Sequence, residues 1–221
     1  MNIRIAPSLL AADYSRISDE VTSIENGGAD MLHLDIMDGR FVPSLTFGPP
    51  VVTAVASQAG IPLDAHLMVA DPDPLIADLI AAPVARIAVH VEACNHLHRT
   101  LTSIRDGGVE AGIAINPASA LSLLEDALPW ADFVLVMSVN PGFGGQAFIP
   151  ETLDKIRRLR EIAGDRSLDI AVDGGVCAEN VGSLAEAGAT TLIAGSAIFG
   201  FEDRAAAIAA MRRNATNGGR Q

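Results

Sequence analysis

The sequence predicts a closed (β/α)8 barrel, a single domain over residues 1–221. Three observations predict it. Eight short runs rich in Val, Ile and Leu alternate with longer amphipathic segments. Such alternation implies a parallel sheet with crossover helices, and no shift in composition divides the chain. Glycines at 27–28, 107–108, 164 and 188 fall where helices should stop. A chain of 221 residues is near the small end for this fold. An open doubly wound sheet would call for a G-x-G-x-x-G turn after the first strand, and "APSLLAADYS" has none.

The strands are expected at 3–8, 30–36, 62–68, 85–91, 110–115, 132–138, 168–173 and 190–195. Helical patterns lie between them, for example at 15–28 and 150–164. "NGGAD" at 26–30 and "EAGAT" at 186–190 read as one helix-end, strand-start joint used twice. "DPDP" at 71–74 reads as a helix entry, with Asp73 capping and Pro74 in the first turn. The tail from about 212 to 221, "RRNATNGGRQ", is polar and glycine-rich and is expected to be frayed.

Composition narrows the function. A formal net charge of −12 argues against nucleic acid or an anionic membrane as partner. No apolar run is long enough to span a bilayer, and "MNIRIAPSLL" reads as a strand rather than a signal segment. Cys94 and Cys177 are far apart and in no metal or redox spacing, so a reducing cytoplasm is the expected location. Lys155 is the single lysine. An anionic ligand would therefore have to be held by backbone dipoles rather than by a basic surface.

In this fold the active site lies at the C-terminal ends of the strands. His33 and Asp35 sit two apart inside the apolar second strand, so both point to one face. Burying them together costs several kcal/mol unless partners wait there. His66 on the third strand and Asp173 at the end of the seventh are the expected partners. Two His and two Asp suit a borderline divalent ion such as Zn, Fe(II), Co or Mn. From spacing alone, a hydrogen-bonded cluster without metal fits equally well.

Glycine-rich turns follow strands 6, 7 and 8: "NPGFGGQ" at 140–146, "DGG" at 173–175 and "AGSAIFG" at 194–200. Glycines let backbone N–H groups approach an anion closely, and "SAIFG" suits the short extra helix of a barrel phosphate site. Met37, Met68 and Met137 fall at strand ends; spacing alone reads them as core filler. His90 and Glu92 face the same way and are expected mainly to brace the loop after strand 4. His96 and His98 are expected at the surface.

Taken together, "IAPSLLAADYS", "HLDIMDGRFVP", "LDAHLM", "HVEA", "MSVNPGFGGQAF", "VDGGV" and "AGSAIFG" resemble the ribulose-phosphate 3-epimerase family, in the family's order, over about residues 3–200. The resemblance implies one divalent metal ion per subunit held by His33, Asp35, His66 and Asp173, with Asp35 and Asp173 as the two acid–base carboxylates. It implies substrate contacts from Ser8, His66, Gly142, Phe143, Gly144, Gly145, Gly174, Gly175, Gly195 and Ser196. It also reverses the filler reading of Met37, Met68 and Met137, which become the lining of a reactive intermediate. The implied activity is inversion at C3 of D-ribulose 5-phosphate to D-xylulose 5-phosphate, in the pentose phosphate pathway or the Calvin cycle. A homo-oligomer is expected.

Other classes fare worse. Barrels that decarboxylate or perform aldol chemistry with an Asp-x-Lys-x-x-Asp array would need a lysine within "DIMD" at 35–38, and there is none. A non-catalytic sugar-phosphate binder would have no use for two opposed carboxylates. A six-carbon ketose phosphate such as allulose 6-phosphate remains a competing substrate.

Overall fold

A computed structural model describes residues 3–217. Its strands are β1 (Arg4–Pro7), β2 (Leu32–Met37), β3 (Leu63–Met68), β4 (Arg86–His90), β5 (Glu110–Ile115), β6 (Phe133–Met137), β7 (Asp169–Asp173) and β8 (Thr191–Ala194). Each lies within two residues of its expected position. All ladder pairs are parallel, in the order β1-β8-β7-β6-β5-β4-β3-β2. This is the (β/α)8, or TIM, barrel. Its β1–β2 seam is the weakest, made by a single parallel bridge between Ser8 and His33. The Ser8 hydroxyl reinforces it by donating to Asp35 Oδ2 at 2.5 Å.

The helices are α1 (Ile17–Asn26), α2 (Pro49–Ala56), α3 (Asp73–Ala81), α4 (Leu97–Asp106), α5 (Thr152–Ala163), α6 (Val181–Ala187), α7 (Ser196–Phe199) and α8 (Arg204–Asn217). They pack on the barrel through one continuous apolar layer that includes Ile24, Val52, Leu79, Leu101, Leu159 and Leu184. The two similar joints are built alike. Gly28 and Gly188 both have positive φ, and the following residues, Ala29 and Ala189, donate back to the carbonyls of Ile24 and Leu184.

Three expectations need correction. Residues 212–217 are not frayed but form the end of α8. Arg212 pins that turn by donating to the carbonyls of Ile3 and Gly28 and to Asp30, so tertiary contacts outweigh the polar composition. The rest of the expected tail, 218–221, lies outside the described residues. Asp73 starts α3 rather than capping it; its carboxylate instead accepts from Thr100 and Arg99 and ties α3 to α4. Finally, the β5–β6 connection carries only two 3₁₀ turns, Leu121–Leu123 and Leu128–Trp130. Pro129 sits in the first turn of the second, where its missing N–H costs nothing, and its ring bars a helix from running in continuously from the first.

The barrel lumen is packed, not hollow. Ala6, Ala88, Ala114 and Ala171 leave room for the larger Phe133, Leu135 and Ile193. Below the mouth, the Arg86 guanidinium lies 4.4 Å from the Phe133 ring and donates to Asp64 at 2.9 Å and Asp169 at 2.6 Å. A Cβ added at Gly112 would meet the Phe133 ring at 2.2 Å. Phe133 is fully buried and covered by Arg86, so its ring has nowhere to go. Gly112→Ala is therefore expected to cost about 1–3 kcal/mol of stability, read by urea denaturation. Adding Phe133→Leu to the same chain should recover part of that loss. An unchanged midpoint in the single variant would mean that the lumen is loosely packed.

Candidate active site

Parallel register turns the sequence pattern into a site. Asp35 pairs with His66, His33 with Asp64, and Met37 with Met68 across β2 and β3. On the far side of the lumen, Met137 of β6 pairs with Asp173 of β7. Inward-facing alternate residues therefore stack in layers: methionines toward the mouth, then Asp35 and His66, then His33 and Asp64 beneath. His33, Asp35, His66 and Asp173 each place one donor atom within 4.8 Å of the others. His33, Asp35 and His66 are buried, while Asp173 is partly open.

Hydrogen bonds aim these donors. His33 Nδ1 lies 2.6 Å from Asp64 Oδ2, and Asp64 is itself held by Arg86. The ring's other nitrogen, Nε2, is buried and has no hydrogen-bond partner; Asp35 Oδ1 lies 3.3 Å away without making a bond. His66 Nδ1 lies 3.2 Å from Asp35 Oδ1 and 4.0 Å from Asp173 Oδ2. The end of β2 is steadied by Thr46, whose hydroxyl donates to the Asp35 carbonyl and accepts from Met37 N–H. An orphaned, buried imidazole nitrogen facing two carboxylates fits a divalent cation: borderline N and O donors converge, and a carboxylate orients the ligand from behind.

The same geometry separates the two acids. Burial would raise Asp35, but the charge of the nearby His33 ring, together with the adjacent His66 ring, outweighs it and holds this carboxyl far below its ordinary value. Burial, reinforced by the negative charge of Asp35, pushes Asp173 up to about 7. Burial would lower His33, but Asp35 and Asp64 outweigh it and raise the ring well above its usual value. The cluster is built to attract positive charge.

Above it opens a cleft of about 600 Å³ lined by Ser8, Asp35, Met37, Met68, Met137, Gly142, Phe143, Gly144, Gly145, Asp173, Gly174, Gly175, Gly195 and Ser196. Every other sequence-proposed site residue thus borders one space; only His33 and His66 do not, because they lie beneath its floor. Gln146 shapes the β6 loop by donating to the carbonyls of Asn140 and Phe143. Ser138 donates to the carbonyls of Asp173 and Gly174, and Asn180 to that of Gly175, which hold the glycine turn after β7. Phe143 stands 57% exposed at the rim.

Sequence reasoning missed Asp64 and Arg86. The signal for Asp64 was present: "DAH" on β3 has the same parity as "HLD" on β2, so Asp64 had to share the face of His66. Arg86 opens its strand and reads as a surface residue. His90 does more than brace a loop, since its Nε2 lies 2.9 Å from His66 Nε2. Glu92 does brace, accepting from Asn116 N–H and Ser119. His96 and His98 are exposed, as expected. Lys155 sits away from the cleft, donating to the carbonyls of Asn116, Pro117 and Ser119.

Comparison with known proteins gives the family of the chain. The sequence profile described as Ribulose-phosphate 3 epimerase family matches residues 4–199. A ribulose-phosphate 3-epimerase of Synechocystis sp. is 48% identical over 96% of this chain and 94% of the relative. One from Bacillus subtilis is 46% identical over 95% and 98%. A chloroplastic ribulose-5-phosphate-3-epimerase of Arabidopsis thaliana is 44% identical over 94% and 75%. Among solved structures, KGPDC from Streptococcus mutans superposes with a TM-score of 0.78 at 14% identity, covering 97% of this chain and 98% of that one. A 3-hexulose-6-phosphate synthase gives 0.71 at 20% identity, covering 97% and 99%. At those identities the structures support the barrel fold alone.

Proposed function

The chain belongs to the ribulose-phosphate 3-epimerase family, and on that premise we propose that it inverts C3 of D-ribulose 5-phosphate to give D-xylulose 5-phosphate. The observation that carries the reading is the cluster of His33, Asp35, His66 and Asp173 beneath a glycine-lined cleft. The proton on C3, alpha to a ketone, is weakly acidic, and its removal makes an enediolate. When bound by His33, Asp35, His66 and Asp173, a divalent cation supplies charge stabilisation to the enediolate oxygens. Inversion requires a proton to leave one face and another to arrive on the opposite face. Asp35 and Asp173 reach the cleft from strands three places apart around the barrel (β2, β1, β8, β7), so they can serve two faces. They exchange roles with reaction direction. Met37, Met68 and Met137 keep water from the reacting carbons.

The phosphate is assigned to backbone amides of the turns at Gly142–Gly145, Gly174–Gly175 and Gly195–Ser196. The structure picks the substitution that tests this. A side chain at Gly175 would strike Phe148 backbone at 2.6 Å, and Gly145 has a φ of +75°, so changes there would disturb the loops themselves. Gly144 has neither problem, with nothing within 4 Å of an added Cβ. Gly144→Val is expected to raise KM tenfold or more, about 1.4 kcal/mol. Lys155→Ala should move KM far less, while costing about 1–3 kcal/mol of stability through three unpaired carbonyls. The reverse pattern would displace the phosphate from these turns.

The activity is tested with a panel of ketose phosphates, reading kcat/KM for each. D-ribulose 5-phosphate should lead. A higher value for a six-carbon ketose phosphate would replace the pentose assignment. We also expect self-association, with sedimentation as its measurement. No helix among the described residues is long and apolar enough to cross a membrane. Cys94 and Cys177 are both free thiols.

A further inference from the structure

His33 and His66 approach the carboxylates with opposite nitrogens, and their rear nitrogens are held differently. His33 anchors Nδ1 directly on a carboxylate, Asp64. His66 turns Nδ1 inward and sets Nε2 against His90 Nε2 at 2.9 Å. His90 in turn places Nδ1 3.1 Å from Glu92 Oε2. Both imidazoles are fully buried, and the Phe41 ring covers His90 with centroids 4.7 Å apart. A hydrogen must therefore lie between the two Nε2 atoms, and it belongs to one of them.

The carboxylate decides which. Glu92 Oε1 accepts from Asn116 N–H at 2.8 Å and from the Ser119 hydroxyl, so Glu92 is an acceptor. His90 must then donate from Nδ1. A neutral His90 has its lone pair on Nε2 and can only accept there, so His66 donates from Nε2. That leaves the lone pair of His66 Nδ1 facing Asp173 and Asp35; Asp35 Oδ1, 3.2 Å away, is itself an acceptor and competes for the opposite tautomer, and Glu92, fixed by two further donors, is assigned the proton of the chain. The outer end of the chain is fixed as well: Lys155 donates to the carbonyls of Asn116, Pro117 and Ser119, the segment that holds Glu92.

We propose that His90 and Glu92 are positioning residues: they lock His66 in the Nε2–H tautomer and so present its Nδ1 as a ligand. The presentation of a ligand rests on the metal reading above; the tautomer itself does not. Partners of this kind behind a metal ligand are typically worth 10–100-fold in metal affinity.

The test combines ¹⁵N shifts of the His66 ring in chelator-treated protein with Zn(II) affinity measured by chelator competition. Wild type should show a protonated Nε2 and a bare Nδ1; the opposite tautomer overturns the proposal. His90→Phe keeps an aromatic ring against Phe41 but removes the acceptor. It should shift His66 toward Nδ1–H, donating to Asp35, and weaken Zn(II) binding 10–100-fold. His90→Gln, whose carbonyl can accept at the same place, should restore part of both. A folded His90→Phe with the wild-type tautomer and affinity overturns the proposal. Should His90→Phe not fold, Glu92→Gln decides, because an amide there can donate to His90 Nδ1 and reverse the chain; unchanged shifts and affinity would then count against it. Wild type that shows the Nε2–H tautomer yet binds no Zn(II) would instead sink the metal reading, with the ligand role attached to it.

Discussion

Asp35→Asn and Asp173→Asn are each expected to lower kcat by at least ~10² to 10⁴ in both reaction directions, the usual worth of positioned acid–base catalysis. The motive is geometric: two carboxylates of one buried cluster border the same cleft from different strands. Both residues also belong to the proposed ligand set, so metal content must accompany each rate. Exchange in heavy water is the sharper measurement. Wild-type product should carry solvent deuterium at C3, since the proton delivered comes from a different carboxylate than the one that took the old. A variant lacking only the donor should still wash deuterium into unreacted substrate without forming epimer. A one-base mechanism predicts something else: one variant would stay nearly fully active and return much of the original hydrogen to product. Seeing that in a metal-replete variant would overturn the two-carboxylate assignment.

Removing the cation is the second large effect. Loss of several kcal/mol of transition-state stabilisation corresponds to a fall in activity of ~10³ or more, restored on adding the metal back. The pH dependence has a definite sign. Asp173, lifted to about 7 by burial and by Asp35, must lose its proton to become a ligand, and so must His33, which is also raised. Metal binding should therefore release protons below neutrality, and affinity should fall as the pH drops through 7. In metal-free protein the linkage runs the other way. A carboxyl raised from its ordinary value near 4 contributes stability that is complete below that value and is lost as the pH rises toward 7. His66 and His90, which burial lowers, act in the opposite sense over the same window, so the Asp173 contribution is read as a difference: metal-free Asp173→Asn should lack the loss of stability that Asp173 adds between about pH 4 and 7 in metal-free wild type. Full activity in demonstrably metal-free protein, or an affinity flat from pH 5.5 to 8, would count decisively against the metal.

Much of this was legible in the chain. The eight strands could be read because a barrel strand is apolar on both faces and short, and polar residues at their ends and centres, His33, Asp35, His66 and Asp173 among them, stand out against that background. Strand parity put His33 with Asp35 because side chains alternate with a fixed period, whatever the tertiary context. Three glycine turns after successive late strands marked the mouth, because a turn that must bring backbone close to a ligand tolerates few other residues. The tail was misread for the complementary reason: residues 212–217 carry no apolar stripe, and partners distant in sequence hold the helix there, the carbonyls of Ile3 and Gly28 and the Asp30 carboxylate for Arg212, the Ala178 carbonyl for Asn214, and the core for Ala215.

Parity says which residues share a face, but not which residue of the neighbouring strand they meet. That depends on register, and register is set by the whole sheet. It placed Asp64 behind His33 and His66 beside Asp35, 31 residues apart in each case. It also brought Arg86 under both Asp64 and Asp169, so that a residue opening a strand became the buried centre of a charge network. The pattern of residues therefore carried the identity of the four donors. The folded barrel decided which nitrogen each histidine presents and which carboxylate is held ionised, because tautomer and charge follow from neighbours a few ångströms away, and those neighbours come from other strands.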